Sequence, residues 1–455
     1  MKDYSGLSLW HGGAGELTPR PPLDAAERAR RWDVIIMGAG YTGLWTALGL
    51  LAQDPSRSIL ILEKEIAGFG ASGRNGGWVS SLYPTSTTAL INTYGAPAAT
   101  ALRQAMVESV VSVGTWASSL GIECDFVKGG TTTLVRNEIH RVRATSALEE
   151  AQQLGVDALQ WREAPDTLAA SRSQGAVFDP SCARIHPAKL VRGLASAASE
   201  GGVRIAEQTT VLDYRAGVVT TSSGEVTGEV IIDALEGYRS QLPSTQRASL
   251  PLYSLMIATE PLPDKVFDAL GLEHGMTFAD FRSLVIYGQR TADNRIAFGG
   301  RGAPYHWGSR IDPRYDRDPK VFRALESTLK DMFPQLGRVG ISHTWGGVLG
   351  VPRDWHSSVT FDQATGLGAA GGYVGDGVAL SHLSGLTLAD AIMGNPTSRT
   401  ALPFVGHQSP LWEPEPLRYL GSTAAILGVG LADKIESTTG KTSLVSRLIA
   451  PLTGH

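Results

Sequence analysis

Gly38-Ala39-Gly40-Tyr41-Thr42-Gly43 sets three glycines at GxGxxG spacing, and Glu63 follows Gly43 by 20 residues. That pattern suits a dinucleotide. Gly38 permits a tight turn, Gly40 lets backbone approach a pyrophosphate, and Gly43 lets a helix pack closely on a strand. The N–H groups at a helix start face phosphates, and the helix dipole favours their charge. An acid at position 63 can accept hydrogen bonds from a ribose diol. A second glycine-dense segment follows at once, with Gly70, Ala71, Ser72, Arg74, Asn75, Gly76 and Gly77. It offers backbone donors and a guanidinium with little bulk. An NAD-type domain has no obvious need for it, whereas a cofactor with more ring surface does; the bland alternative is a flexible surface loop.

The elements that must position these residues are legible around them. Asp33–Met37 is a short apolar strand, Leu44–Leu51 has apolar residues at helical spacing, and Ser58–Leu62 is a second strand ending at Glu63. Gly202–Glu207, Val211–Tyr214 and Val230–Ala234 read as strands returning to the same sheet. Far along the chain, the small-residue strand Gly368–Val374 leads into Gly375-Asp376-Gly377 and a helix from Val378 to Met393, capped by Gly394. A helix start there would stabilise the negative charge that a reduced isoalloxazine gathers at N1 and O2 by about 0.3–1 kcal/mol. An ordinary strand-to-helix turn is the alternative.

The remaining chain reads as a separate unit. Ser86–Leu120 and Ala144–Leu154 are helical, and Thr131–Val135 is a strand. Leu252–Thr259, Ser283–Tyr287 and Arg295–Phe298 are β-rich and broken by turns such as Asp293-Asn294, which suggests an antiparallel substrate sheet. Charged helices fill 312–337, and Trp345-Gly346-Gly347 is expected to open an irregular stretch. His186, next to Pro187, reads as a helix-entry residue bonded to backbone. Residues 1–31 read as a surface lead-in, and the chain after Trp412 as helical packing over the surface. Ser437–Thr442 ends like a phosphate-binding loop, but Ile435 stands where the first glycine is required and no strand precedes it.

At 455 residues, with 42% hydrophobic and 18% charged residues and 53 glycines, the chain fits a soluble globular protein of two or three domains. A net charge of −4 without a basic block argues against nucleic acid or an anionic membrane surface as partner. Cys124 and Cys182 form no metal-type cluster, so no metal is expected, and no disulfide follows from them. The start, Met1-Lys2-Asp3-Tyr4, lacks a signal-peptide core, and no apolar run approaches the ~18 residues of a membrane span. A cytoplasmic location is the expectation. Oligomeric state is not encoded.

Taken together, Gly38–Gly43, Glu63, Gly70–Gly77 and Gly375–Gly377 resemble the D-amino-acid oxidase superfamily of FAD enzymes. The branch is that of gamma-glutamylputrescine, sarcosine and glycine oxidases. Tyr253–Leu262, Phe298-Gly299-Gly300 and Trp345-Gly346-Gly347 extend the similarity over nearly the whole chain. The resemblance implies an α/β fold. A Rossmann-like FAD-binding domain of glutathione-reductase type is built from 1–85, 180–245 and 366–455. An antiparallel-sheet substrate domain comes from 86–179 and 246–365. It implies oxidation of a C–H beside an amine nitrogen, with dioxygen as the second substrate. A dehydrogenase using another acceptor, or a flavin-binding subunit without turnover, are the competing readings.

By resemblance Gly38, Gly40, Tyr41, Thr42 and Gly43 would contact pyrophosphate, and Glu63 and Lys64 the adenosine side. Gly70, Ala71, Ser72, Arg74, Asn75, Gly76 and Gly77 would line pyrophosphate and flavin. Val211 would give backbone contacts to adenine, Ala234 would also contact the cofactor, and Gly375, Asp376, Gly377 and Val378 would sit at the pyrimidine edge of the ring. Several relatives have histidine where Asp376 stands, and an acid there disfavours an anionic reduced ring unless it is paired or turned away. Relatives that attach flavin covalently use a cysteine in the C-terminal part, which this chain lacks, so non-covalent FAD is expected. For the amine, Tyr253, Tyr287, Trp345 and Tyr373 are candidate aromatic walls. Met256 is a candidate beside the ring, and Arg353 or Arg301 for a substrate carboxylate.

Overall fold

The computed structural model describes residues 2–156, 158–439 and 443. Val34, Ile35, Ile36 and Met37 are fully buried, as a strand covered on both faces requires. The strand Arg31–Met37 is the centre of a sheet that has eight strands among the described residues. It pairs in parallel with Ile59–Leu62 on one side and Gly224–Asp233 on the other. Arg204–Ala206 extends the first side and Leu367–Gly371 the second, both in parallel. Strands far apart in sequence therefore end at one edge, where the order of connections reverses.

The helices that leave this edge, Tyr41–Gln53 and Gly377–Met393, cross closely. A Cβ on Gly385 would lie 2.6 Å from the Trp45 Cβ, and one on Gly49 would lie 2.9 Å from Leu386. Glycine in a helix interior costs about 1 kcal/mol relative to alanine; here it brings the two helix starts side by side.

The second sheet runs, in spatial order, Ile341–Val351, Leu250–Thr259, Ile296–Gly300, Ile286–Arg290, Thr277–Asp280, Thr131–Leu134, Ala176–Asp179 and Gln160–Arg162. Its pairings are antiparallel except between Thr277–Asp280 and Thr131–Leu134. Phe278, Phe298 and Phe333 fill its core beneath the helix Pro319–Met332.

Three features differ from the sequence reading. Trp345-Gly346-Gly347 opens no irregular stretch: it lies inside Ile341–Val351, with Met256 opposite Trp345 and Ser254 opposite Gly347. Its glycines mimic a loop in composition but serve packing, because a Cβ on Gly346 would meet the Asp316 backbone. The first residues are no mere surface lead-in, since Tyr4, Trp10 and His11 are buried. Ser358–Asp362, within 246–365, edges the first sheet, and the helix Ala96–Ser119, within 86–179, packs into that sheet's core through Leu102, Met106 and Val110. Cys124 and Cys182 are free and buried. Among the described residues no helix is long and apolar enough to cross a membrane. The Gly440-Lys441-Thr442 end of the false phosphate loop lies outside the described residues.

Gly385→Ala is expected to destabilise the protein by about 1–3 kcal/mol, the usual cost of overpacking. A thermal melt should show a lower midpoint, and cofactor affinity should fall with it because both helix starts move.

Candidate active site

The three glycine segments meet. Gly38, Gly40, Glu63, Gly70, Gly375 and Gly377 all line one cavity of about 420 Å³. Neither N-cap residue, Gly40 nor Asp376, caps its helix with its own side chain, although the Ser72 Oγ takes the Tyr41 N–H. The remaining N–H groups of both first turns are thus offered to whatever fills the space. Gly38 takes a φ of +104°, open to glycine, and its Cβ would press on the Ala234 carbonyl. A Cβ on Gly43 would collide with the Gly38 carbonyl, and one on Gly40 would sit 3.0 Å from the Ser72 Oγ.

Glu63 hangs at the end of its strand with Oε2 accepting from the Ala39 N–H (3.0 Å) and Oε1 from the Glu65 N–H (2.9 Å). Burial pushes its pKa up to about 7, against those two bonds. Lys64, Val211 and Ala234 line the same cavity. In the second glycine segment Ser72 Oγ accepts from the Tyr41 N–H at 2.9 Å, while Asn75 folds back on Ala71 and Ser72 and accepts from the Gly77 N–H. Tyr41, Thr42, Ala71, Ser72, Asn75 and Val378 face the cavity. Gly43, Arg74, Gly76, Gly77 and Asp376 do not line it.

Arg74 braces this segment against the second sheet. Its Nη1 donates to Asp316 (2.7 Å) and the Gly346 carbonyl (3.2 Å), and its Nε to the Phe69 carbonyl (2.7 Å). Trp345 Nε1 donates to the Arg74 carbonyl at 2.8 Å. Gly76 is flat against the Tyr287 ring, whose hydroxyl shares a 2.7 Å hydrogen bond with Ser254. Met256 is buried with Trp345 and Trp10. Tyr373 lines the cavity and its hydroxyl lies 2.9 Å from the Thr42 Oγ1; burial raises its pKa well above the ordinary tyrosine value.

A second cavity, of about 530 Å³, abuts the first: Leu349 lines both, and Val374 lines the second where Gly375 lines the first. Tyr253 belongs to its wall, with the Asp312 N–H donating to its hydroxyl. Arg301 also lines it, close behind Gly375, whose Cβ would lie 3.1 Å from its Nη2. Arg301 donates to the Val374 carbonyl, which steadies a β-branched residue held at a φ of +51°. Arg353 lines neither cavity, and its Nε donates to Glu413 at 3.0 Å.

Asp376 is turned towards Ser80, whose Oγ donates to it at 3.3 Å. Burial raises its pKa, and Arg301 and Arg103 pull it down. Sequence reasoning assigned no role to Glu236 or Trp10. Glu236 lines the cofactor cavity at a φ of +50°, accepting from the Gly350 and Tyr373 N–H groups. An acid wedged between the strand end Asp233-Ala234 and Gly237 was the signal available for it. Trp10 Nε1 donates to the Asn75 carbonyl, and Ser8 to the Gly73 carbonyl; no local pattern announces either. His186 accepts from the Lys189 N–H at the start of Pro187–Glu200, the backbone role expected of it.

Arg74→Ala should cost about 3–5 kcal/mol, the typical cost of stranding one member of a buried ion pair, with Arg74→Lys intermediate. Thermal melts of both variants measure this.

The site's setting is shared with known proteins. The family described as FAD dependent oxidoreductase (DAO) matches residues 33–391. The gamma-glutamylputrescine oxidoreductase of Escherichia coli K12 is 30% identical over 386 residues, which cover 82% of this chain and 86% of that protein. The glycine oxidase of Geobacillus kaustophilus is 24% identical over 398 residues, 82% of this chain and 96% of that protein. The crystal structure of that glycine oxidase superposes with a TM-score of 0.70 over 84% of this chain and 99% of its own. With a family match across most of its length and two glycine-lined helix starts on one cavity, this chain belongs to the DAO family of FAD-dependent oxidoreductases.

Proposed function

We propose that the protein oxidises the C–N bond of a small amine or amino acid to an imine, which water hydrolyses to a carbonyl product and an amine or ammonia. Dioxygen takes up the two electrons and yields hydrogen peroxide. The observation that carries this reading is the meeting of a cofactor cavity and an apolar cavity at the Val374–Gly375 turn. Bound FAD supplies the two-electron acceptor. Gly38, Gly40 and Tyr41 with the first helix start would hold its pyrophosphate, Glu63 the ribose diol, and Gly375–Val378 the ring's pyrimidine edge. The glycine cradles that a Cβ would fill, and the two helix starts that face the cavity, fit such a group.

The chain's own part is to bind the amine and remove its charge. An aliphatic ammonium has a pKa near ~10 in water. Leu252, Leu284, Val351 and Trp355 strip water from it, and desolvation favours the neutral base. The guanidinium of Arg301 adds a like charge and lowers the amine's pKa further, so its proton leaves to solvent. A neutral amine then loses hydride from its neighbouring carbon without a protein base. Tyr373 and Val378 shape the cofactor side of the junction.

The purified protein is expected to be yellow, to bleach when mixed anaerobically with a reactive amine, and to release one peroxide per turnover in air. Bleaching without peroxide would replace dioxygen with another acceptor, and a flavin bleached by no amine would refute the reading. Glu63 adds a pH test. Its folded pKa lies above the ordinary carboxylate value, so its stabilisation of the cofactor-free protein is present below about 4.5 and lost as pH rises through about 7. A ribose diol donates to the ionised form, so FAD should bind more tightly as pH rises from 6 to 8. Glu63→Gln should weaken FAD binding tenfold or more and flatten that dependence, as read by fluorescence titration of the apoprotein.

A further inference from the structure

The cavity beyond Arg301 is walled on one side by an element outside the family match. The helix Leu417–Thr439 lies past residue 391 and sets Ile426 and Val429 against the wall from the second sheet. It is fastened where a wall needs to be firm. Asp433 accepts from the Ser283 and Leu284 N–H groups at 2.9 and 2.6 Å, and Glu436 pairs with Arg143 at 2.8 Å. Facing it are Leu252, Val351, Trp355 and Trp412, the last held by a 2.8 Å bond from its Nε1 to the Val351 carbonyl. The enclosed surface is mostly hydrocarbon and aromatic.

The charges on this wall are unequal. Arg143 is paired with Glu436, and Asp280 with Arg282 at 2.6 Å. Arg301 has the Val374 carbonyl and the Trp355 ring, 5.7 Å away, and feels the Asp376 charge, but among the described residues no carboxylate lies within ion-pair distance of it. Desolvation pushes its pKa down more than Asp376 holds it up, so this cation gains from an incoming anion. It stands at the junction with the cofactor cavity.

We propose that this cavity receives the side chain of the substrate. The preferred substrate is then an amino acid, or its N-alkyl derivative, that carries a bulky hydrocarbon group and sets its carboxylate on Arg301. A glycine-sized amine leaves about 530 Å³ of apolar space unfilled. A polyamine brings a second ammonium to a wall whose acids are already paired. The inference rests on the amine-oxidation reading above, and it assigns the C-terminal helix the part of specificity wall.

The test has two independent arms. In the first, the holoenzyme is mixed anaerobically with leucine, phenylalanine and N-methylphenylalanine (both enantiomers), and with glycine, sarcosine and putrescine. Flavin bleaching per unit concentration should be at least tenfold faster with the best of the bulky set. Equal or faster bleaching by glycine, sarcosine or putrescine overturns the specificity and leaves amine oxidation standing, whereas bleaching by none refutes amine oxidation itself. The second arm needs no turnover: 3-phenylpropionate should quench the fluorescence of Trp355 and Trp412 and perturb the flavin spectrum, with acetate at least tenfold weaker. Val429→Trp, which fills the cavity, should weaken 3-phenylpropionate binding tenfold or more; Leu252→Phe serves from the sheet side if the first variant does not fold. Failure of 3-phenylpropionate to bind, or unaltered binding in a folded variant, overturns the assignment of the cavity.

Discussion

Two helix starts whose N-cap residues supply no side-chain cap, both on one cavity, are the constraint on which the molecule depends. Bare N–H groups are costly to bury and useful to an anion, so each start must reach the same ligand. That demand fixes the spacing of the helices that carry them. It explains the glycines at their crossing, since Gly49 and Gly385 let Tyr41–Gln53 and Gly377–Met393 approach to backbone distance. It also explains why the parallel strands converge at one edge of the first sheet.

The second sheet is held to this cradle by a small number of buried polar contacts. Arg74 reaches from the glycine loop to Asp316 and Gly346, Trp345 reaches back to Arg74, and Glu236 ties the Ile341–Val351 strand to Tyr373. Each contact joins the two units across the cofactor cavity or its border. Dense hydrogen bonding of this kind fixes geometry more than it adds net stability. Arg301 belongs to the same network at the opposite end, where it steadies the strained Val374 turn and faces the apolar cavity.

Legibility followed distance along the chain. The first strand, helix and second strand, the ends of the late helix, and the β-rich middle were readable because period and glycine punctuation are local properties. The Trp345 segment was misread for the same reason: glycine in a strand and glycine in a loop look alike until the neighbour is known, here the Asp316 backbone. Trp10 and Glu236 carry no local signature, since what makes them matter is a partner tens or hundreds of residues away. Arg353 and Arg301 were indistinguishable as bare arginines. Glu413 occupies one, and the other opens on a cavity.

The amino-acid order by itself determined the chemistry that the chain can host. Three glycine segments, an acid after the second strand and a helix start near the end point to a dinucleotide, because those residue types act through backbone N–H groups and dipoles, and their resemblance to the FAD-dependent oxidoreductases makes that dinucleotide FAD. Only the folded molecule decided what would be brought to that cofactor. The wall formed by Leu417–Thr439, the placing of the Arg301 guanidinium at the cavity and the pairing of Asp376 with Ser80 arise from packing between distant segments. Burial and charge pairing are properties of surroundings, and surroundings exist only once the chain has closed on itself.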